Sequence, residues 1–374
     1  MLKLAIYTIC KNEIQNIAKY LNNAFQADYI CILDTGSTDG SFELLKELSK
    51  KDEFKEKLIV EQKVYNPWRF DSARNDNLKM VPKDTNICWE LDLDETAEAD
   101  SVKTIKEEWE KYSPNQLEYK YAWRVDENDN PLIVFWYNKI HDYSGNWYWK
   151  FPIHETLTYC GKENLKTTRV DKLLTKHHPL NKDRGDYTPL LEMRVKDYPD
   201  DYCGKIYLIH QYNFIGRYSD CILFAEKIKD DIKDPLFKSD LLYYEASSYE
   251  KLNQIQNAIN KYEEAILTYN KWRDPYFNLA HVYYTREEYE EVVEILLKML
   301  RDTKRLYSWL EIGRGWSFEP YDLLSICFYK TGQKEEALNF EKIAQFYCAK
   351  TNSEYSRIEN NIVVIQKELD QQGK

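Results

Sequence analysis

Glycine and proline are scarce, with 11 of each in 374 residues. With 43% hydrophobic and 31% charged residues, the chain reads as a folded globular protein rather than a disordered or collagen-like one. The eight cysteines, Cys10, Cys31, Cys88, Cys160, Cys203, Cys221, Cys327 and Cys348, include no C-x-x-C pair, which removes zinc-ribbon and thioredoxin-type readings. Several lie in apolar runs, where a reduced thiol packs as a small hydrophobe, so a cytoplasmic location is expected. No membrane-length apolar run occurs: Leu4–Cys10 is short and is followed at once by Lys11, Asn12 and Glu13. Neither a secretion signal nor an integral membrane segment is therefore expected. Basic charge is in deficit, 52 Lys plus Arg against 63 Asp plus Glu, for a net charge of −11. An acidic chain repels polyanions, so no nucleic-acid partner is expected. Neither G-x-x-x-x-G-K-[ST] nor G-x-G-x-x-G occurs, against P-loop and dinucleotide-binding domains.

Aromatic residues are abundant, with 31 Tyr and 10 Trp. Such rings have an apolar face and a polar edge, and serve either core packing or surfaces that stack on sugars and peptides. The length suggests two domains. Residues 1 to about 180 alternate apolar strands (Leu4–Cys10, Tyr29–Leu33, Leu58–Glu61, Asn86–Leu93) with helical segments (Ile14–Phe25, Ser41–Leu48, Ser72–Met80, Ser101–Tyr112). That alternation predicts an α/β domain with a mostly parallel sheet covered on both faces. Two further strands, Leu117–Val125 and Leu132–Tyr137, flank a turn at 126–131. From about 187 onward the period is helical, giving expected domains of 1–185 and 186–374.

An internal repeat runs through the second half. Gly216–Cys221, Asn253–Ala258, Glu287–Val292 and Gly332–Ala337 align over helix junctions, spaced by 37, 34 and 45 residues. The third repeat carries Tyr276, Leu279, Ala280 and Tyr283, and the fourth Tyr321, Leu324, Ser325 and Phe328. These resemble the W-x2-L-G-x2-Y helix of tetratricopeptide repeats, with a small residue where helices approach closely. An all-α, tetratricopeptide-like domain is the expectation, used for acceptor binding or for a homodimer.

The strongest local signal is Leu91-Asp92-Leu93-Asp94-Glu95. On a strand, Asp92 and Asp94 share a face, and two adjacent carboxylates call for a compensating cation. Mg2+ or Mn2+ shared with phosphate oxygens fits, at strand ends where open α/β sheets bind ligands. A second signal, Asp34-Thr-Gly-Ser-Thr-Asp39-Gly40, reads as a tight turn with a helix cap, or as a loop whose Asp34 meets a nucleotide's base or ribose.

With Cys10-Lys-Asn12-Glu13 and Trp68-Arg-Phe-Asp-Ser-Ala-Arg74-Asn75, these motifs stand in the order and spacing of a family-2 glycosyltransferase of GT-A, Rossmann-like fold, which the first half resembles. With the helical repeats, the chain is similar to the subgroup that includes sublancin-type peptide S-glycosyltransferases. The resemblance implies inverting, metal-dependent transfer of a sugar from a UDP-sugar, UDP-glucose or UDP-GlcNAc, to a peptide, protein or glycan. It implies donor contacts from Asn12, Glu13, Asp34, Arg74 and Asp92, and a Mn2+ or Mg2+ held by Asp92 and Asp94. A late histidine, His177 or His178, would add a metal ligand.

Inversion also needs a base for the acceptor's proton. Glu155, with His154 second, stands where the family often keeps an acidic motif. Trp147 and Trp149 share a face if extended and are read either as acceptor-groove residues or as core. His141, His210 and His281 are expected to be structural. A competing reading is a non-catalytic interaction protein whose repeats hold a partner beside a degenerate sugar-nucleotide domain. A nucleotidyltransferase would carry a basic glycine-rich loop that Lys11-Asn-Glu13 lacks.

Overall fold

The run Leu4–Cys10 forms strand β1, and both of its faces are covered. Leu4 and Ile6 join Ile30, Ile32 and Trp89 in one core, whereas Ala5 and Tyr7 join Cys31, Cys88 and Trp149 in another. A strand buried on both sides has no polar face, which is why it reads as a continuous apolar stretch. The computed structural model describes residues 1–126, 128–179, 186–306, 308 and 310–372. After β1 come α1 (Ile14–Ala24), β2 (Tyr29–Asp34), α2 (Ser41–Leu48), β3 (Leu58–Gln62), α3 (Phe70–Lys79), β4 (Ile87–Glu90), β5 (Glu95–Ala97) and α4 (Ser101–Tyr112). Then follow β6 (Gln116–Val125), β7 (Pro131–Asp142), β8 (Trp147–Lys150), β9 (Thr156–Tyr159), β10 (Thr167–His177) and α5 (Thr188–Asp197).

Among the described residues, eight strands form one sheet in the order β3-β2-β1-β4-β7-β6-β10-β5, and β8 and β9 form a separate ribbon. The half β3-β2-β1-β4 is parallel. β7 runs antiparallel to both β4 and β6, and β10 is parallel to β6. The domain is thus α/β with a mixed sheet whose parallel half comes first. Strand order reverses direction at β1, so the crevice beyond the carboxyl ends of β1, β2 and β4 is the topological switch point.

The strand expected over Asn86–Leu93 is shorter than its apolar run, because β4 stops at Glu90 and residues 91–94 turn. The turn closes with Glu95 N–H donating to the Asp92 carbonyl at 3.0 Å. Leu91 and Leu93 are buried as expected.

The chain divides into two compact units, Met1–Asp197 and Tyr198–Lys374. The expected boundary at 185/186 falls at residues 180–185, outside those described, and the division in the structure comes later. Helix α5 has helical period but packs with the first unit: its Arg69–Asp197 ion pair spans 2.7 Å, and Arg194 is buried there.

The second unit is all helical: α6 (Tyr202–Phe214), α7 (Tyr218–Ile228), α8 (Pro235–Lys251), α9 (Ile255–Thr268), α10 (Asp274–Thr285), α11 (Tyr289–Asp302), α12 (Glu319–Lys330), α13 (Lys334–Tyr347) and α14 (Tyr355–Gln372), with a 3-10 turn at Arg314–Trp316. Its four hairpin junctions are copies of one another. Gly216, Asn253, Glu287 and Gly332 all have left-handed φ, at 80°, 58°, 61° and 84°. The next N–H bonds back five residues each time: Arg217 to Tyr212, Gln254 to Tyr249, Glu288 to Tyr283 and Gln333 to Phe328. This is the Schellman closure of a helix. Four residues into the next helix, Cys221, Ala258, Val292 and Ala337 are each fully buried. The small residues Ala246, Ala280 and Ser325 stand seven positions before three of the junctions, at 0%, 0% and 2% exposure. The repeats are therefore tetratricopeptide-like helical hairpins. The 45-residue gap holds an insertion pinned by Arg273, which donates to Gly315 O at 2.9 Å with its guanidinium 3.4 Å from the Trp316 ring centre.

Candidate functional site

Three loops meet at the switch point. Asn12, left-handed at φ 58°, knits the loop after β1 to the loop after β2: its N–H donates to Ser37 Oγ at 2.8 Å and its Oδ1 accepts from Thr38 N–H at 2.7 Å. Asp34 is fully buried, with Oδ1 accepting from Gly36 N, Ser37 N and Gln62 Nε2 at 2.8–3.0 Å and Oδ2 accepting from the Ser37 hydroxyl. Asp34 thereby shapes the loop after β2. Gly36 is needed there twice over, for φ 102° and because a Cβ would lie 3.1 Å from Val64. Asp39 accepts from Ser41 N at 3.0 Å and starts α2. Glu13 is drawn upward in pKa by burial and by the nearby charges of Asp94 and Asp92, against an Asn16 hydrogen bond.

Beyond β4 the acidic pair diverges. Asp92 lies between two buried cations, accepting from Arg74 Nη2 at 2.9 Å and Lys139 Nζ at 2.9 Å. Burial alone would raise the Asp92 pKa, but those two charges outweigh it and hold the carboxylate well below its usual range. Asp94 turns the other way, to His177 Nε2 at 3.1 Å. The two aspartates are thus not one strand-face pair, because the strand has ended and the turn separates their side chains.

Arg74, on α3, also donates to Glu90 and Glu155 and lies 5.2 Å from the Trp149 ring centre. Lys139, on β7, reaches Glu90 at 2.5 Å and Glu95 at 3.5 Å, with the Tyr137 ring at 4.7 Å. Glu95 is pushed up to about 7 by burial, which Lys139 offsets in part while Asp92 and Asp94 add to it. Two cations and four carboxylates therefore form one network. Glu90, Glu95 and Lys139 were not anticipated. Their signal was available: a charged residue inside an apolar strand, as in Ile87-Cys-Trp-Glu90 or Asn138-Lys139-Ile140, is rarely buried unless paired.

The side chains of the two late histidines part where β10 ends. His177 faces Asp94, while its Nδ1 is 3.3 Å from the Trp123 carbonyl. Burial lowers the His177 pKa, and the Asp94 hydrogen bond more than restores it, for a net rise. His178 points away, with Nε2 3.0 Å from Thr96 Oγ1 in a shallow depression also lined by Lys19, Asn23 and Asp129. Of the two expected metal histidines, His177 meets the Asp94 carboxylate with its ring, while His178 meets Asp94 through the main chain, its N–H donating to the Asp94 carbonyl at 2.7 Å.

Among the described residues, no group of three or more His, Cys, Asp or Glu side chains is arranged around a metal ion. Asp94 and His177 nonetheless suit a hard divalent ion whose remaining ligands are phosphate and water. A carbonyl at Nδ1 leaves Nε2 as the ligand atom, the usual outer support of a metal-binding imidazole. Asp92 is held instead by Arg74 and Lys139.

Glu155 follows β8 in a tight loop, with its carboxylate on Arg74 and its side chain 11% exposed. His154 is exposed with φ 48°. Trp147 and Trp149 do not line a groove. They are 7% and 3% exposed in the second core, where Trp149 Nε1 donates to Tyr7 OH at 3.1 Å. Asn75 exchanges two hydrogen bonds with the Trp149 backbone, at 2.7 and 2.8 Å, tying α3 to β8. His141 is structural: burial pushes it down to about 4, and its Nε2 is 3.0 Å from Tyr7 OH.

The sheet and the helical hairpins define an α/β unit followed by a repeat unit. Residues 5–156 match the family described as Glycosyl transferase family 2. No curated protein matches the chain. Solved structures similar to it include MamA (20% identity, 42% of this chain and 84% of that one, TM-score 0.34). They also include YrrB, titled a TPR protein with an unusual peptide-binding site (12% identity, 49% and 85%, TM-score 0.38). A third is TTC0263, titled a thermophilic TPR protein in Thermus thermophilus (13% identity, 48% and 88%, TM-score 0.34). Among the described residues, no helix is long and apolar enough to cross a membrane.

Proposed function

We propose that the protein is an inverting glycosyltransferase that moves a sugar from a UDP-sugar, UDP-glucose or UDP-GlcNAc, to a peptide, protein or glycan acceptor. The observation that carries this reading is the Asp94–His177 pair beside the Arg74–Asp92–Lys139 network, at the switch point of a region matching a glycosyl transferase family. A Mn2+ or Mg2+ bound by Asp94 and His177 would supply charge neutralisation for the leaving diphosphate. Asn12 and the Ser37–Thr38 turn organise the donor crevice. Glu155 accepts the acceptor's proton as its oxygen or sulfur bonds to the sugar carbon and the bond to the diphosphate breaks. Arg74 orients that carboxylate and ties it to Asp92.

Thermal denaturation with UDP and Mn2+ tests the donor half. Saturating ligand should raise the midpoint by several degrees, following RT ln(1 + [L]/Kd), and Asp94→Ala should abolish the rise. No shift with any nucleoside diphosphate would favour a non-catalytic interaction protein. Glu155→Gln should lower turnover by about 10²–10⁴-fold, the usual contribution of a general base.

A further inference from the structure

The loop before Glu155 is held against its own preference. Phe151 and His154 have left-handed backbones, φ 83° and 48°, a conformation that L-residues disfavour and that is kept only where surroundings over-determine it. The restraint comes in large part from outside residues 5–156. Arg194 on α5 is 1% exposed, and its Nη1 donates to the Ile153 carbonyl at 2.9 Å and the His154 carbonyl at 3.0 Å. Its guanidinium lies 3.8 Å from the centre of the Phe151 ring. The Phe70 N–H of α3 takes the preceding carbonyl, Pro152 O, at 2.9 Å. Arg69, just ahead of Phe70, joins Asp197 of α5 at 2.7 Å. Three successive carbonyls are thereby fixed by donors from two helices, immediately before the residue whose carboxylate meets Arg74.

We infer that Arg194 is a positioning residue: it sets the main chain from which Glu155 projects, while Arg74 sets the carboxylate. This rests on Glu155 being the base. The functional unit then needs α5, and the family-matched segment alone is incomplete. A misplacement near 1 Å can cost on the order of 10²-fold in rate, so the restraint is large enough to matter.

The test is a double-mutant cycle in the full-length protein, Arg194→Met with Glu155→Gln. It reads Mn2+-dependent hydrolysis of a panel of UDP-, GDP- and dTDP-sugars with water as acceptor. Arg194→Met should lower kcat by about 10- to 100-fold with donor KM and UDP affinity nearly unchanged. In the Glu155→Gln background it should cost little more, because the group it positions has gone. Arg194→Lys should recover most of the rate, since both hydrogen bonds come from one nitrogen that an ammonium can replace. If Arg194→Met does not fold, Phe151→Leu, which removes only the ring beneath the guanidinium, carries the same cycle. Additive losses, or a raised KM at unchanged kcat, overturn the role of Arg194. An undiminished Glu155→Gln, or no turnover by the unmodified protein with any donor, overturns the base assignment and this proposal with it.

Discussion

The two units bury charge in opposite ways. The first gathers it: Arg74 and Lys139, with side chains 7% and 4% exposed, share Glu90, Asp92, Glu95 and Glu155 at one crevice. The second disperses it. Asp240 meets His210 at 2.6 Å, Glu245 meets Lys261 at 3.1 Å, Glu341 meets Asn361 at 2.9 Å, and Asp274 meets Trp272 and Ile312. Asp240, Glu245 and Glu341 join neighbouring helices, Glu245 by sharing Lys261 with Glu226 and Glu264, and Asp274 ties α10 to the insertion. A concentrated network is costly to bury and coupled throughout, which is why it marks a place where charge is handled.

The largest expected effect sharpens that contrast. Lys139→Met leaves four carboxylates to one remaining cation and should destabilise the first unit by about 3–5 kcal/mol. Glu341→Gln in the second keeps the Asn361 contact and should change stability by less than about 1 kcal/mol. Urea titration monitored separately for each unit checks both. Equal losses would break the distinction between gathered and dispersed charge.

A smaller effect concerns pH. Burial raises Asp274 to about 6, although hydrogen bonds from Ile312 N and Trp272 oppose it. A carboxyl raised above its unfolded value, about 3.9, binds more protons when folded. Its stabilisation is complete below that unfolded value and is lost as pH rises through about 6. The repeat unit's melting midpoint should therefore rise between pH 7 and pH 5, and Asp274→Asn should reduce that dependence, leaving the share of Glu245, which burial raises to about 7.

The smallest effect tests whether the junctions are equivalent. Glu287 is left-handed where two of the other junctions carry glycine. Glu287→Gly should stabilise the repeats by up to about 1 kcal/mol, and Gly216→Ala should cost a similar amount. Midpoints that do not move in opposite directions would show that the four junctions are not interchangeable.

Much of the architecture was legible. Ser41–Leu48 and Ser101–Tyr112 are helices over their expected ranges, and the six-residue alignments coincide with the four Schellman turns. Other elements were not. The strands β8 to β10 lacked a long apolar run, and β5 is three residues long. The expected strand to Leu93 stopped short, at Glu90, because buried leucines alternate in a tight turn as well as in a strand. Trp147 and Trp149 share a face, but periodicity cannot say which layer covers it.

Periodicity, turn residues and repeat spacing are local: a helix, a strand or a Schellman junction is decided by residues a few positions apart, so the chain's order already contains them. The pairing of charges is not local. Arg74 meets Glu155 across 81 positions, Lys139 meets Asp92 across 47, and His177 meets Asp94 across 83. Only the assembled sheet brings these groups within hydrogen-bonding distance. The end of β10 then leaves the His177 ring on Asp94 and the His178 ring on Thr96, and the packing of α5 sets Arg194 against the main chain before Glu155.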